Sequence, residues 1–250
     1  MKHIFNLFLL AVEFLTRLPL RRKNPTAPED LGNASIFFPV VGLLVALGAV
    51  GINSALRTRL NRDVVVVLIL IYLVLVTGGF HEDALADAAD GLGGGWNKDQ
   101  ILTIMHDSRI GSFGALAVTL SLLARFVFLI SLPRERFSGF LITAQVLSRW
   151  TALPLGHFLR PARGQAGQGA RVAGEIGIVS LVVGIVLALG IVWAVLGVSQ
   201  MIWPVLVTVG VTAASAAYYR SQIGGVTGDC MGATNQIAEA AVYLTGVVLH

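Results

Sequence analysis

The stretch Gly78-Gly-Phe-His-Glu-Asp-Ala-Leu-Ala-Asp-Ala-Ala-Asp-Gly-Leu-Gly-Gly-Gly95 carries the residue types and spacing that say most about chemistry. Wound as a helix, it sets Asp83, Asp87 and Asp90 in a stripe about 60° wide. Along the axis the three carboxylates span about 10 Å. Ala84, Ala86, Ala88 and Ala89 lie between them, small enough for neighbouring helices to approach closely. Like charges at helical spacing repel, and near a membrane they are poorly solvated. A cation offsets that cost, and hard oxygen ligands with room for water and phosphate oxygens suit Mg²⁺ or Mn²⁺. The competing reading is a solvated polar face at the end of a span. Against it, the other side of this helix offers only alanine and leucine, and glycines bracket both ends.

Familiar motifs in the same stretch do not complete. His81-Glu82 begins a zinc-protease HExxH, but the fifth position is Leu85. Gly91–Gly95 completes no GxGxxG, and no GxxxxGK[ST] occurs anywhere, which excludes a P-loop ATPase. His81 lies about 160° from the aspartates on the wheel, so a supporting role suits it better than metal ligation. Asp107-Ser-Arg-Ile-Gly-Ser-Phe-Gly114 follows, where Arg109 serves equally as a phosphate clamp or a flanking positive residue. Asp107 is a further ligand or the partner of Arg109. Gly224-Gly-Val-Thr-Gly-Asp-Cys-Met-Gly232 is a glycine-rich loop running into a helix, a form that can cradle an anion. Asp229 is there a ligand, a general base or an N-cap, and Gly228 with Gly232 also forms a GxxxG packing pair. Arg149, with Gln145 one turn before it, falls in mid-span and must face the bundle interior, meeting an anion or a carbonyl. Arg125 is a weaker case, with Glu239 a partner for either arginine or an internal salt bridge.

The elements that hold these groups are apolar. Hydrophobic residues make up 55% of the 250, and charged ones only 13%, which excludes an ordinary soluble domain, a disordered chain and a coiled coil. Apolar runs fall at Ser35–Leu56, Asp63–Thr77, Ser112–Leu132, Phe137–Leu159, Ile176–Val198, Met201–Tyr219 and Ala233–Leu249. They predict an all-α integral membrane protein, one bundle of about seven transmembrane helices forming a single polytopic domain over 1–250. An N-terminal amphipathic interfacial helix occupies 1–20 and ends at Pro19. The acidic motif region at 78–110 and the glycine-rich loop at 220–232 then share one side with Arg21, Arg22, Lys23, Arg160, Arg163, Arg171 and Arg220. The other side holds Arg57, Arg59, Arg62, Arg134 and Arg136. The richer side is cytoplasmic by the positive-inside rule, so the net charge of +4 needs no nucleic-acid partner. The lone Cys230 excludes an internal disulfide framework.

Carboxylates suited to a divalent metal, arginines and an anion-binding loop on one membrane face specify phosphate chemistry. GGFHEDALADAADG, DSRIGSFG and GGVTGDCMGA, in that order, with FLTRLP near the start and FPVVGLL in the first span, resemble the cobalamin synthase (adenosylcobinamide-GDP ribazoletransferase) family over nearly the whole chain. The resemblance implies a Mg²⁺-dependent enzyme of a prokaryotic inner membrane, multi-pass, with its active site facing the cytoplasm. It would join adenosylcobinamide-GDP to α-ribazole or α-ribazole 5′-phosphate, releasing GMP. By position, the family's acidic motif falls on His81, Asp83, Asp87 and Asp90, and its later loop on Thr227, Gly228 and Asp229. Ala84 departs from the glycine expected there. In this reading Asp83, Asp87 and Asp90 hold metal, Arg109 and Arg149 clamp phosphate, and Asp229 is the candidate base; a homo-oligomer is left open. Rivals are a CDP-alcohol phosphotransferase, whose DxxDG begins at Asp87-Ala-Ala-Asp90-Gly91 but stops at Gly94-Gly95, and a prenyltransferase. A metal or corrinoid transporter is the remaining class.

Overall fold

A computed structural model describes residues 2–20, 30–162 and 176–249. Arg21, Arg22, Lys23, Arg163 and Arg171, with most of the expected loop Arg160–Glu175, lie outside the described residues. Helices α1 (Lys2–Leu15), α2 (Asp30–Ala34) and α3 (Phe38–Leu56) come first, with a 3-10 turn Ser35–Phe37 between the last two. Then come α4 (Arg62–Thr77), α5 (Phe80–Gly94), α6 (Lys98–Met105), α7 (Ser112–Ser131), α8 (Arg134–Trp150) and α9 (Ala152–Phe158). The last two are α10 (Ile178–Ile223) and α11 (Gly228–Val248). Among the described residues there is no strand, only an isolated bridge between Pro161 and Val226.

The fold is the all-α membrane architecture that the composition requires. On length and apolarity three helices can cross a bilayer, namely 30–56, 112–131 and 178–223, or four if the bent α4–α5 pair counts as one span. The expected seven are not reached on that measure, for physical reasons. Helix α4 has 16 residues. Helices α8 and α11 bury Gln145, Arg149, Asn235, Gln236 and Glu239 against other helices, α11 keeping an exposed apolar face at Ile237, Leu244 and Val248. The run expected as Phe137–Leu159 is divided at Thr151 into α8 and α9. Helix α10 is interrupted at Gly197, the left-handed residue (φ 71°) between two helical arms. Its first arm begins beside His157, whose Nδ1 is 2.7 Å from the Ile176 carbonyl oxygen, and its second ends beside Phe158, whose carbonyl accepts from Arg220 at 3.5 Å. Both ends therefore lie at one end of the bundle, and the chain doubles back at Gly197.

Helix α8 is the central element, with Phe140, Leu141 and Thr143–Arg149 all buried. Helix α3 reaches it backbone to backbone at Gly42, where a Cβ would run into the Gln145 carbonyl. Gly42→Ala is therefore expected to force the two helices apart and cost about 1–3 kcal/mol. Gly51, in the same helix, has nothing within 4 Å of a Cβ position. Gly51→Ala should leave stability unchanged or raise it by up to about 1 kcal/mol. Unfolding midpoints of the two variants check the pair.

Helix α1 buries Leu7, Leu10, Ala11, Val12 and Leu15 and leaves Ile4 and Phe5 exposed. It is thus docked on the bundle by one face, with Phe14 stacked on Phe38 and edge-on to Phe80. The Arg17 amide after it donates to the Val76 carbonyl at 2.8 Å, tying the N-terminal segment to the end of α4.

Candidate active site

Helix α5 carries the acidic stretch, and its direction is set by the two glycines before it. Gly78 (φ 69°) and Gly79 (φ 70°) are both left-handed, a conformation that costs glycine little and other residues more. Their amides donate to Leu75 and Val74, closing α4. The chain leaves that turn bent by 85°, so α5 departs from the line of α4 and instead runs alongside α7 and α11, with Asp90 at the start of α7 and Glu82 bonded to Arg125 further along it.

The C-terminal half of α5 is fastened by Asp90. This carboxylate is buried, and its two oxygens accept from the backbone N–H groups of Gly111 (2.7 Å) and Gly114 (2.8 Å). Gly111 is the N-cap of α7, so Asp90 satisfies amides at the positive end of that helix. The sequence stripe gave no sign of this partnership. Asp90→Ala should cost about 2 kcal/mol, and Asp90→Asn less, through loss of charged-acceptor bonds. An unfolding curve of each variant tests this.

The glycine-rich loop meets α5 from the other side. Helix α11 packs antiparallel to α5: Gly232 lies against Ala84, Gln236 donates to Glu82 at 3.2 Å, and Thr227 touches Met105, which itself packs on Gly91. A Cβ at Gly232 would run into the Ala84 methyl, so the GxxxG pair does serve close packing here. The loop is held by reciprocal backbone bonds, Val226 N–H to Arg160 O and Ala162 N–H to Val226 O, each 2.9 Å. Thr227 is the N-cap of α11, its Oγ1 accepting from the Cys230 amide at 3.2 Å. Asp229 follows in the first turn, half-buried.

Between these elements lies a cavity of about 40 Å³ lined by His81, Arg149, Gly228, Met231, Gly232 and Asn235, among others. Arg149 is buried and donates from Nη1 to the backbone and side-chain oxygens of Gln145, at 3.1 and 2.6 Å. Arg149 Nε and Asn235 Oδ1 are buried without hydrogen-bond partners among the described residues. The rest of the wall is mostly apolar, with Phe14, Phe38 and Phe80 in it, so the open donor and acceptor are the groups there that suit a water or an anionic oxygen.

Arg125 resolves the pairing left open by the sequence. It is 1% exposed and bridges Glu82 (3.0 Å) and Glu239 (3.4 Å). The bonds continue from Glu239 through Tyr243 (3.1 Å) to Gln145 (3.1 Å) and so to Arg149. Sequence reasoning passed over Glu82, Tyr243 and Asn235; the spacing of Gln236, Glu239 and Tyr243 along one face of α11 was the signal for two of the helix's polar contacts.

Asp83 is exposed and Asp87 half-buried on α5. Among the described residues no group of three or more His, Cys, Asp and Glu side chains is gathered to hold a metal ion. Arg109 is on the surface in a forked pair with Asp107, closest at 2.6 Å. The bonds from Arg109 hold the Asp107 carboxyl down to about 2, and the same pairing raises the guanidinium. Both residues line an open recess of about 230 Å³ that also contains Asp90, Gly94, Ser112 and Phe113. The structure thus brings His81, Arg149 and Gly228 around one cavity, and Arg109 and Asp90 around a second, with α5 between them.

A family model described as cobalamin-5-phosphate synthase matches residues 7–248. The chain is 39% identical to an adenosylcobinamide-GDP ribazoletransferase of Shewanella pealeana, covering 98% of this chain and 95% of that protein. It is 38% identical to the enzyme of the same name from Shewanella amazonensis (99% and 97%) and 34% to that of Vibrio vulnificus (96% and 94%). No solved structure matches it.

Proposed function

The chain belongs to the cobalamin-5-phosphate synthase family, and from that premise we propose that it joins adenosylcobinamide-GDP to α-ribazole or α-ribazole 5′-phosphate with release of GMP. The ribazole hydroxyl attacks the phosphorus on the cobinamide side of the pyrophosphate. A new O–P bond forms, the P–O bond to GMP breaks, and the hydroxyl proton passes to a base. Asp229 suits the base, standing half-buried in the first turn of α11 beside the loop that packs on α5. Arg149 and His81 face the leaving or entering phosphate from the cavity they share with Gly228. Arg109 meets phosphate at the outer recess by exchanging its bond to Asp107 for one to substrate.

The acids fit a divalent cation of one kind only. Asp83 and Asp87, one turn apart on α5, suit an ion that takes two protein carboxylates and completes its shell with water and phosphate oxygens, as Mg²⁺ does, with Mn²⁺ a substitute. A cage of all three acids is a poorer fit, because both oxygens of Asp90 already accept from α7. When bound, such an ion neutralises charge developing on the pyrophosphate. We assign the site to the cytoplasmic face of a prokaryotic inner membrane, since the motif-bearing loops share one end of the bundle.

One observation carries this reading: the antiparallel contact of α5 with α11, which brings the acidic helix and the Thr227–Asp229 loop together. Proteoliposomes supplied with the GDP-activated corrinoid, α-ribazole and Mg²⁺ test it. Stoichiometric GMP release with formation of the joined corrinoid is expected. Corrinoid flux without GMP would replace the enzyme with a carrier.

A further inference from the structure

A further cavity lies at the other end of the bundle and has no part in the reaction above. It encloses about 300 Å³ and is lined by Asn53, Arg57, Thr58, Asn61, Arg62 and Arg134 over a floor of Val65, Val66 and Phe137. Its distance from the Asp90 end of the acidic helix follows from α7. That helix starts at the amides held by Asp90 and ends against Arg62, which donates to the Leu129 carbonyl at 2.9 Å and to that of Leu132. Its 20 residues span about 30 Å.

The arginines of this cavity differ in what they do. Arg62 is a fixture, tied to α7 and lying 5.5 Å over the Phe137 ring. Arg57 and Arg134 are exposed, and among the described residues neither side chain makes a hydrogen bond or an ion pair. Asp63 and Glu135 are neighbours in the chain, yet neither lines the cavity. Three arginines thus line a pocket with amide and hydroxyl donors and no carboxylate in its wall, while Asp63 and Glu135 act on Arg62 from outside it. Repulsion among the arginines is relieved by an anion, and guanidinium forks match phosphate oxygens bidentately. At the rim, Leu60 belongs to the lining, and Val64 and Val67 are exposed on the outward side of α4.

The geometry points to a phosphate-binding site here, remote from the recess at Asp90 and Arg109 and filled either by an anionic lipid headgroup or by free phosphate. Arg57 and Arg134 supply the adjustable contacts, Arg62 a fixed charge, and Asn53, Thr58 and Asn61 the neutral hydrogen bonds.

Full-length protein in nanodiscs of phosphatidylcholine, with and without phosphatidylglycerol, separates the two sources. Native mass spectrometry counts the phosphatidylglycerol retained, and a thermal shift on adding inorganic phosphate to the phosphatidylcholine discs reads the free anion. One probe or both should bind, and Arg57→Gln/Arg134→Gln should weaken that binding about tenfold or more. Arg57→Lys/Arg134→Lys keeps the charge and should keep most of the binding. Retention of the lipid alone assigns the site to a headgroup; a shift with phosphate alone assigns it to the free anion. Binding of neither probe, or equal binding by wild type and the glutamine variant, overturns the proposal. GMP release in phosphatidylcholine should be unchanged in both variants, which shows them folded and keeps this result separate from the fate of the catalytic reading.

Discussion

Asp87→Asn is expected to lower turnover about 10²–10³-fold in a correctly folded protein, and Asp83→Asn to do nearly the same. Removing one preorganised electrostatic contact at a reacting phosphate costs on that order. Both acids lie on α5, where Asp83 is exposed and Asp87 half-buried, so neither substitution opens a cavity in the core. The amide also occupies nearly the same volume. A fall in rate without a fall in stability therefore reports on chemistry. The test is a titration of GMP release against Mg²⁺ and Mn²⁺. Each variant should need more metal for half-maximal rate, because a carboxylate ligand to a hard cation has become a weaker neutral one. Near-normal turnover at limiting Mg²⁺ would remove the metal from these residues. Asp90 is the built-in comparison: its variants should lose stability through the α7 amides and leave the metal requirement where it was.

The acidic helix was legible because its signal is local. A period of 3.6 residues puts Asp83, Asp87 and Asp90 on one side whatever the rest of the chain does. The same arithmetic could not see that the third acid leaves the stripe's chemistry for the N-terminus of α7, since Gly111 and Gly114 are more than twenty positions away. Gly78-Gly79 read only as punctuation before a helix. That both glycines are left-handed, and so turn α5 by 85° from α4, is a consequence of α4 ending where it does.

The count of about seven spans is not confirmed, for an instructive reason. Hydropathy reports what lipid would accept, and most of α8 and the polar face of α11 are offered to other helices instead. Buried polar residues there make two of the predicted spans more polar than a helix facing lipid on all sides can be. The partner of Arg125 was beyond reach for the same reason. Glu239 was a candidate from its position in the last run, but Glu82 was weighed only as the second residue of an incomplete HExxH. Tertiary packing alone decides that Glu82 turns inward while Asp83 stays exposed.

Arg125→Met should destabilise the protein by about 3–5 kcal/mol, the cost of breaking a buried ion pair from one side. The formal charges of the network balance: Glu82 and Glu239 against Arg125 and Arg149, joined through Tyr243 and Gln145. Methionine fills much of the volume of arginine, so the loss would come from an uncompensated carboxylate rather than from a void. Glu239→Gln alone should leave an excess positive charge beside Arg149 and cost a comparable amount. Together the two changes restore neutrality, and the double variant should recover most of what either loses. A double-mutant cycle on unfolding in a fixed lipid composition measures the coupling, expected at about 2 kcal/mol or more against the few tenths seen for independent sites. Additivity within about 0.5 kcal/mol would mean that Arg125 is held by its apolar surroundings and that the network carries no energy. Because Glu82 is bonded into this network and Asp83 follows it on α5, loosening Arg125 should also reach the acidic helix. A weaker hold on metal in Arg125→Met, relieved in the double variant, would show that the buried pair sets the orientation of the carboxylates at the surface.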